Sequence, residues 1–203
     1  MTAKPQRIGV FGGSFDPPHL AHTALANCAV AQFELSQLLI IPTGDAWHKS
    51  RALSAAGHRL AMTRLAFANV PNARVDSREI ERSGPTYTVD TLQALHTEHP
   101  EAALFLFVGA DQAHAFKTWH RWQDVLRLAT LVVAERPEQA QAQWHNAISP
   151  DVQSLDMPSL NVSATQIRAH FSQGLQRLPN DLSECLHPDV QHYIEQHSLY
   201  RQN

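Results

Sequence analysis

The stretch "IGVFGGSFDPPHLAH", Ile8 to His22, decides the fold. An apolar run leads into Gly12 and Gly13, two prolines follow, and a segment with helical spacing then opens at His19 and His22. Glycine permits a tight turn and a close approach of the backbone to a ligand, and the N-terminus of the next helix offers unpaired N–H groups. The stretch therefore predicts a first strand, a ligand-binding turn and a first helix.

Further apolar runs and helical stretches alternate along the chain. The predicted strands are "LLIIP" from Leu38, "ARVDSREI" from Ala73, "ALFLFVGAD" from Ala103 and "TLVVAERP" from Thr130. The predicted helices between them are "LAHTALANCAVAQF", "GHRLAMTRLAFANV", "YTVDTLQALHTEHP" and "WHRWQDVLRL". Nearly continuous apolar strands that alternate with helices predict an α/β fold with a Rossmann-like, doubly wound parallel sheet. Ligands bind at the carboxyl ends of such strands, where Gly12, Pro42, Gly109 and Arg136 fall.

The end of the chain has a different pattern. After "ERP" the periodicity weakens, and "VSATQIRAHF" and "PDVQHYIEQHSLY" then predict two closing amphipathic helices. At 203 residues the chain fits one domain. We expect a single domain over 1–203, with an α/β core over 1–160 and a small helical part over 161–203.

Composition excludes several classes of protein. Charged residues are 17%, hydrophobic residues 43% and the net charge −3, which argues against disorder and against a general nucleic-acid-binding surface. No apolar run approaches the roughly 20 residues of a membrane span, and the N-terminus has no export signal. We therefore expect a cytoplasmic protein without membrane or nucleic-acid partners, in which Cys28 and Cys185 are thiols.

The turn before the first helix does not follow the common phosphate-binding patterns. It lacks the Gly-Lys-Ser/Thr of a P-loop, and no glycine follows Gly13 until Gly44, so the dinucleotide fingerprint is missing as well. His19 and His22 are three residues apart, which predicts imidazoles on one side that both donate to a phosphate. Two alternatives are surface or packing histidines and a zinc site, but zinc needs further ligands that are not nearby.

Two motifs carry a family resemblance. "GGSFDPPHLAH" resembles the G-G-T/S-F-D-P-x-H-x-G-H signature of the nucleotidyltransferases that share an H-x-G-H element with class I aminoacyl-tRNA synthetases, with Ala21 in place of the glycine. "NVSATQIRAHF", from Asn161, resembles their second signature, I/V-S-S/A-T-x-I-R. There, Ser163 and Thr165 would cap a helix and offer hydroxyls, and Arg168 would hold phosphate oxygens. The alternative is an ordinary capped helix with a solvated arginine.

Three more stretches narrow the resemblance. "HKSRALSAAGHRLAMTRLAF", "GPTYTVDTL" and "FLFVGADQAHAFKTWHRWQDVL" are similar to segments of bacterial nicotinate-nucleotide adenylyltransferases. The resemblance implies transfer of AMP from ATP, with Mg²⁺ carried on the ATP, to nicotinic acid mononucleotide, giving deamido-NAD and pyrophosphate. Two alternatives stay open: transfer to another acceptor, such as phosphopantetheine or nicotinamide mononucleotide, and a nucleotide-binding module without catalysis. A dehydrogenase is disfavoured, because the dinucleotide fingerprint is missing. A homo-oligomer is left open.

The resemblance also implies roles for individual residues. The catalytic residues would be His19, His22, Lys49 and Arg168. The ATP-binding residues would be Gly12, Gly13, Ser14, Phe15, Gly109, Asp111, Ser163 and Thr165. The residues that bind the mononucleotide would be Thr88, Trp119, His120 and Arg136, and no metal ligand is predicted. Alternatives are a helix cap for Asp111, core packing for Trp119 and a strand-end cap for Arg136.

Overall fold

A computed structural model describes residues 5–44, 53–135, 142–158, 160, 162–173 and 184–201 of the chain. Its strands are β1 Arg7–Gly13, β2 Gln37–Pro42, β3 Ala73–Val75, β4 Ala103–Gly109, β5 Thr130–Glu135 and β6 Gln153–Asp156. Its helices are α1 Leu20–Gln32, α2 Ala56–Phe67, α3 Arg78–Glu81, α4 Thr88–Glu98, α5 Ala110–Ala115, α6 Trp122–Leu128, α7 Ala142–Ala147, α8 Ala164–Ser172 and α9 Pro188–Gln196, with a 3₁₀ turn at Phe116–Thr118.

The strands form one sheet in the order β3-β2-β1-β4-β5-β6, and every pair is parallel. Phe11 of β1 lies between Ile40 of β2 and Phe107 of β4. After β1 the chain adds β2 and β3 on one side of β1. It then returns to the other side of β1, where it adds β4, β5 and β6. The crevice between β1 and β4 is therefore the topological switch point, where ligands bind in sheets of this kind.

Both faces of the sheet are buried, which explains why its central strands are apolar at consecutive positions. Phe11, Phe105 and Phe107 point to one face and join a core cluster with α1, α2, α8 and α9. Val10 and Leu106 point to the other face and join a cluster with α4, α5, α6 and α7. Side chains alternate between faces along a strand, so each continuous apolar run supplies both clusters.

The predicted Rossmann-like α/β fold is confirmed, with four local differences. The strand predicted from Ala103 to Asp111 ends at Gly109, and α5 begins at Ala110. The run from Ala73 was expected to continue as a strand to Ile80, but β3 ends at Val75 and α3 follows. The helix expected from Trp119 begins at Trp122. β6 and α7 were not predicted, because they lie in the region after "ERP" where the sequence pattern is weak.

The closing helices pack on the sheet. Ile167 and Phe171 of α8, and Val190 and Ile194 of α9, are buried in the same cluster as the phenylalanines of β1 and β4. Such packing supports the expected single domain, whose boundaries stay a prediction. Among the described helices, none is long and apolar enough to cross a bilayer.

Candidate active site

The turn from β1 to α1 lies at the switch point. Gly12 is exposed at the end of β1, and Gly13 and Ser14 are half-buried. Phe15 has a positive φ of 46° and is 1% exposed, with its ring against Phe11 and His22. Since the Phe15 side chain belongs to the core, only its backbone is offered to a ligand.

His19 and His22 lie side by side at the start of α1. His19 is the N-cap and His22 is the third helical residue, so His19 precedes the first turn that was expected to contain both residues. Their ring centroids are 3.8 Å apart, which confirms that the two rings share one side. The backbone N–H of His19 donates to Nδ1 of His22 at 3.1 Å. An accepting Nδ1 places the proton of a neutral His22 on Nε2, which is then the donor nitrogen.

Burial controls the charge of His19. His19 is only 8% exposed. Desolvation lowers the pKa of its imidazole to about 4, so the imidazole is neutral at pH 7. The His19 side chain faces the backbone N–H of His22 in a capping-box arrangement, but its buried Nδ1 has no partner of normal hydrogen-bond geometry within the described part of the chain. A buried polar atom left unsatisfied costs about 1–3 kcal/mol, and such atoms are often retained where they have a function.

The predicted helix cap is confirmed at Ser163. Its Oγ accepts the N–H of Gln166 at 3.3 Å, and the Gln166 side chain accepts the N–H of Ser163 at 3.0 Å, so the pair forms a capping box. Arg168 is half-buried and donates to the backbone oxygen of Asp16 at 2.7 Å and to Oγ1 of Thr165 at 3.0 Å. The alternative of a solvated arginine is therefore wrong, and α8 is bonded directly to the turn that carries the histidines.

Asp16 and Arg59 belong to the same network, although the sequence analysis gave them no role. Asp16 is 1% exposed, and its carboxylate accepts the N–H of Ser54 at 3.2 Å and the hydroxyl of Tyr200 at 2.8 Å. Arg59 is 2% exposed and donates to the carbonyl oxygens of Ser14, Ser54 and Gly44, a set that joins the turn to two other segments.

The position of Arg59 could have been found from the sequence. It lies on the same helical face as Met62, Ala66 and Phe67, at the spacing of a buried stripe. A charged residue in such a stripe must find polar partners inside the protein. For Asp16 no comparable signal exists, because its partners are distant in sequence.

The end of β4 forms the other wall of the switch point. Gly109 is the N-cap of α5, and a β-carbon there would come within 2.9 Å of Oδ1 of Asp111. The Asp111 carboxylate is exposed and accepts Nε2 of Gln112 at 3.2 Å. Asp111 is the second residue of α5, so the alternative of a helix N-cap is wrong.

The predicted mononucleotide-binding residues form a second group. The ring of His120 lies against that of Tyr87, with centroids 4.3 Å apart and the planes tilted by 35°, which brings the Trp119–His120 segment beside the start of α4 at Thr88. Trp119 is half-buried and lies 5.3 Å from the ring of Phe116. This contact, in a half-buried residue, is compatible with both core packing and stacking on a ligand for Trp119. Trp122, the first residue of α6, is also only half-buried.

Two hydrogen bonds connect this group to the histidine turn. The N–H of Thr43 donates to the carbonyl oxygen of Gly13 at 2.9 Å, and the hydroxyls of Thr43 and Thr86 are 3.5 Å apart. Lys49 and Arg136 lie outside the described residues. Within the described ranges, no group of three or more metal-ligating side chains is present.

The chain belongs to the cytidylyltransferase-like family, whose sequence model matches residues 10–170. It is 48% identical to a probable nicotinate-nucleotide adenylyltransferase of Albidiferax ferrireducens, over 97% of this chain and 98% of the relative. It is 41% identical to a protein of the same description from Methylibium petroleiphilum, over 98% and 95% of the two chains. Within the larger family, the chain thus falls among the nicotinate-nucleotide adenylyltransferases.

The fold is also similar to that of a solved relative. The structure of Plasmodium falciparum nicotinic acid mononucleotide adenylyltransferase in complex with NaAD superposes with a TM-score of 0.79 at 20% identity, covering 96% of this chain and 97% of the other. At that identity the likeness shows the fold alone.

Proposed function

We propose that this chain transfers the adenylyl group of ATP to nicotinic acid mononucleotide, giving deamido-NAD and pyrophosphate, in NAD biosynthesis. The observation that carries the proposal is the paired-imidazole turn at the switch point, in a chain similar over nearly its whole length to probable nicotinate-nucleotide adenylyltransferases.

The chemistry requires positioning more than proton transfer. The second pKa of a phosphate monoester is about 6, so the mononucleotide phosphate is already a nucleophile at pH 7 and needs no general base. It attacks the α-phosphorus of ATP, the bond to the β-phosphate oxygen breaks, and pyrophosphate leaves. The site must hold the two phosphates in line and neutralise charge on the α-phosphate and the leaving group.

On the triphosphate side, neutral imidazoles suit this task. The Nε2–H of His22 is a donor for an α-phosphate oxygen, and His19, held neutral by burial, lies against it. Arg168 contributes charge toward the β- and γ-phosphates. The remaining ATP contacts are assigned to the backbone of the β1–α1 turn, to the β4–α5 turn and to the start of α8, namely Gly12, Gly13, Ser14, Phe15, Gly109, Asp111, Ser163 and Thr165.

The family generally uses a divalent metal with ATP. Mg²⁺ is the ion proposed here, bound chiefly to phosphate oxygens as part of the substrate, since Mg²⁺ commonly reaches proteins with its nucleotide.

On the acceptor side, Trp119 is assigned to stack on the pyridine ring, and the backbone N–H groups of Thr88 and His120 to bind the nicotinate carboxylate. The contact of the His120 ring with that of Tyr87 supports this assignment, because it holds the two backbone segments together. Lys49 is assigned to bridge the reacting phosphates and Arg136 to contact the mononucleotide phosphate. A cytoplasmic location, where ATP is available, is also proposed. A homo-oligomer is proposed as well, and its molar mass in light scattering tests it.

Release of pyrophosphate, measured with ATP and each acceptor in turn, tests the proposed reaction. We expect turnover with nicotinic acid mononucleotide and a lower kcat/KM with the amide. Removing one transition-state donor in His22→Ala should lower kcat by about 10²-fold or more. His96→Ala, an exposed histidine of α4, is the matched control. Turnover with phosphopantetheine but not with the nicotinate nucleotide would reject the assignment.

A further inference from the structure

The last turn of the described chain reaches the histidine turn. Tyr200 has a positive φ of 68°, and its hydroxyl donates to Oδ1 of Asp16 at 2.8 Å. The same hydroxyl lies 3.8 Å from Sδ of Met62, and the ring is 6.5 Å from that of Phe171. The Tyr200 side chain therefore extends from the C-terminal segment, across the core, to a residue three positions before His19.

Asp16 is the residue through which this contact would act. Its carboxylate is buried and is held by two described donors outside its own turn, the hydroxyl of Tyr200 and the N–H of Ser54. Its backbone oxygen accepts from Arg168. A buried carboxylate depends on such donors, and removing one leaves an oxygen that must be satisfied by a shift of the side chain or of the turn.

The Tyr200 hydroxyl is a constant donor. Burial raises the pKa of the phenol, and the negative charge of Asp16 raises it further, so the proton stays on the oxygen throughout the working pH range. The contact is thus suited to a fixed support rather than to proton transfer.

A second bond ties the same end of the chain to α1. The N–H of Leu20, the residue that follows His19, donates to the carbonyl oxygen of Cys185 at 2.8 Å. Cys185, before α9, and Tyr200, four residues after α9 ends at Gln196, therefore contact the turn at Leu20 and Asp16, on either side of His19.

We propose that Tyr200 is a positioning residue for adenylyl transfer, which fixes the His19–His22 pair through the buried Asp16 carboxylate. The proposal rests on the proposed function of the site. The Tyr200 hydroxyl bonds to Asp16, Met62 and the Ser54 side chain, and the positive charge of Arg168 also acts on it. We therefore expect the loss of the hydroxyl to act on the geometry of the imidazoles rather than on a direct substrate contact. A misplacement of a reacting group by about 1 Å can cost about 10²-fold in rate.

The test compares two tyrosine-to-phenylalanine variants of the full chain. Tyr200→Phe keeps the ring and removes the hydroxyl bond to Asp16. Tyr193→Phe, in α9, removes a hydroxyl that lies 3.0 Å from Nδ1 of His58 and is the matched control. We expect Tyr200→Phe to lower kcat and kcat/KM equally, by about tenfold or more. Equal losses in the two parameters are the pattern for a change that affects the transition state and leaves substrate binding unchanged. The control should stay within about twofold of the parent.

A double-mutant cycle with Asp16→Asn separates positioning from a general loss of packing. If Tyr200 acts through Asp16, the kcat effects of the two substitutions are strongly non-additive. Additive effects, an unchanged kcat in Tyr200→Phe, or a Tyr200→Phe chain that does not fold would each overturn the proposal. Absence of turnover in the parent chain would instead count against the proposed function.

Discussion

The low pKa of His19 makes the stability of the protein depend on pH in a defined window. The unfolded chain binds a proton at His19 below about pH 6.5, whereas the folded chain does so only below about pH 4. The contribution of His19 to stability is therefore complete above pH 6.5, is lost as the pH falls toward 4, and does not change below that. At about 1.4 kcal/mol for each pKa unit, the full loss is about 3 kcal/mol.

The measurement is the free energy of unfolding in urea, between pH 7.5 and pH 5, for the parent and for His19→Asn. Asparagine is a good N-cap residue, so the start of α1 is retained while the titrating group is removed. Other groups titrate alike in both proteins, and the difference between their curves isolates His19. We expect the parent to lose about 2 kcal/mol more than the variant over this range. Parallel curves would refute the neutral, buried imidazole.

At pH 5.5 the imidazole of His19 should take up a proton in part when a triphosphate binds. Anionic oxygens beside His19 favour its charged form, so the pKa of His19 rises in the complex. Binding of a non-hydrolysable ATP analogue at pH 5.5 should then take up protons, which calorimetry detects as a dependence of the heat on the buffer. The dependence should shrink in His19→Asn. If the buffer dependence is the same in the parent and in His19→Asn, the triphosphate does not lie where it is proposed to lie.

Four further outcomes are expected. Arg168→Lys keeps the charge but cannot reproduce the two bonds of the guanidinium, so kcat/KM for ATP should fall about tenfold or more in initial-rate assays. Trp119→Ala should raise the KM for the mononucleotide more than Trp119→Phe does, and equal KM values would remove the stacking role. Gly44→Ala should lower the melting temperature sharply, because the new β-carbon would collide with the carbonyl oxygen of Glu79, whereas Gly57→Ala, in open space, should not. Burial raises the pKa of Glu79 above 4.5, so ionisation of this carboxyl at high pH lowers the free energy of unfolding. In urea titrations, Glu79→Gln should therefore raise the free energy of unfolding at pH 8 but not at pH 4.

The parts of the fold that the sequence predicted are those with a strong local pattern. Central strands are buried on both faces, and their apolar runs stand out. β6 is an edge strand in which only Leu155 is fully buried, so its four residues carry almost no signal. In α7, Trp144 is 2% exposed, yet it follows a polar stretch that favoured an irregular segment.

The same distinction applies to the site. The side-by-side arrangement of His19 and His22 was predicted from their spacing of three residues. The cap at Ser163 was predicted from its place at the start of a helical stretch, whereas the part that Gln166 plays in it was not. The bonds of Asp16 to Arg168 and Tyr200 join residues 152 and 184 positions apart. No local spacing encodes such contacts, since they depend on how the closing helices pack against the sheet.

Two arginines hold the histidine turn by its backbone. Arg59 binds the carbonyl oxygen of Ser14 and Arg168 that of Asp16, on either side of Phe15 with its positive φ. A non-glycine residue in that conformation costs of order 1–3 kcal/mol and persists only where its surroundings fix it. The same guanidinium groups also bring positive charge to the turn proposed to receive the triphosphate. Because geometry and local charge come from the same side chains, a chain with a net charge of −3 needs no broad basic surface to hold an anionic nucleotide.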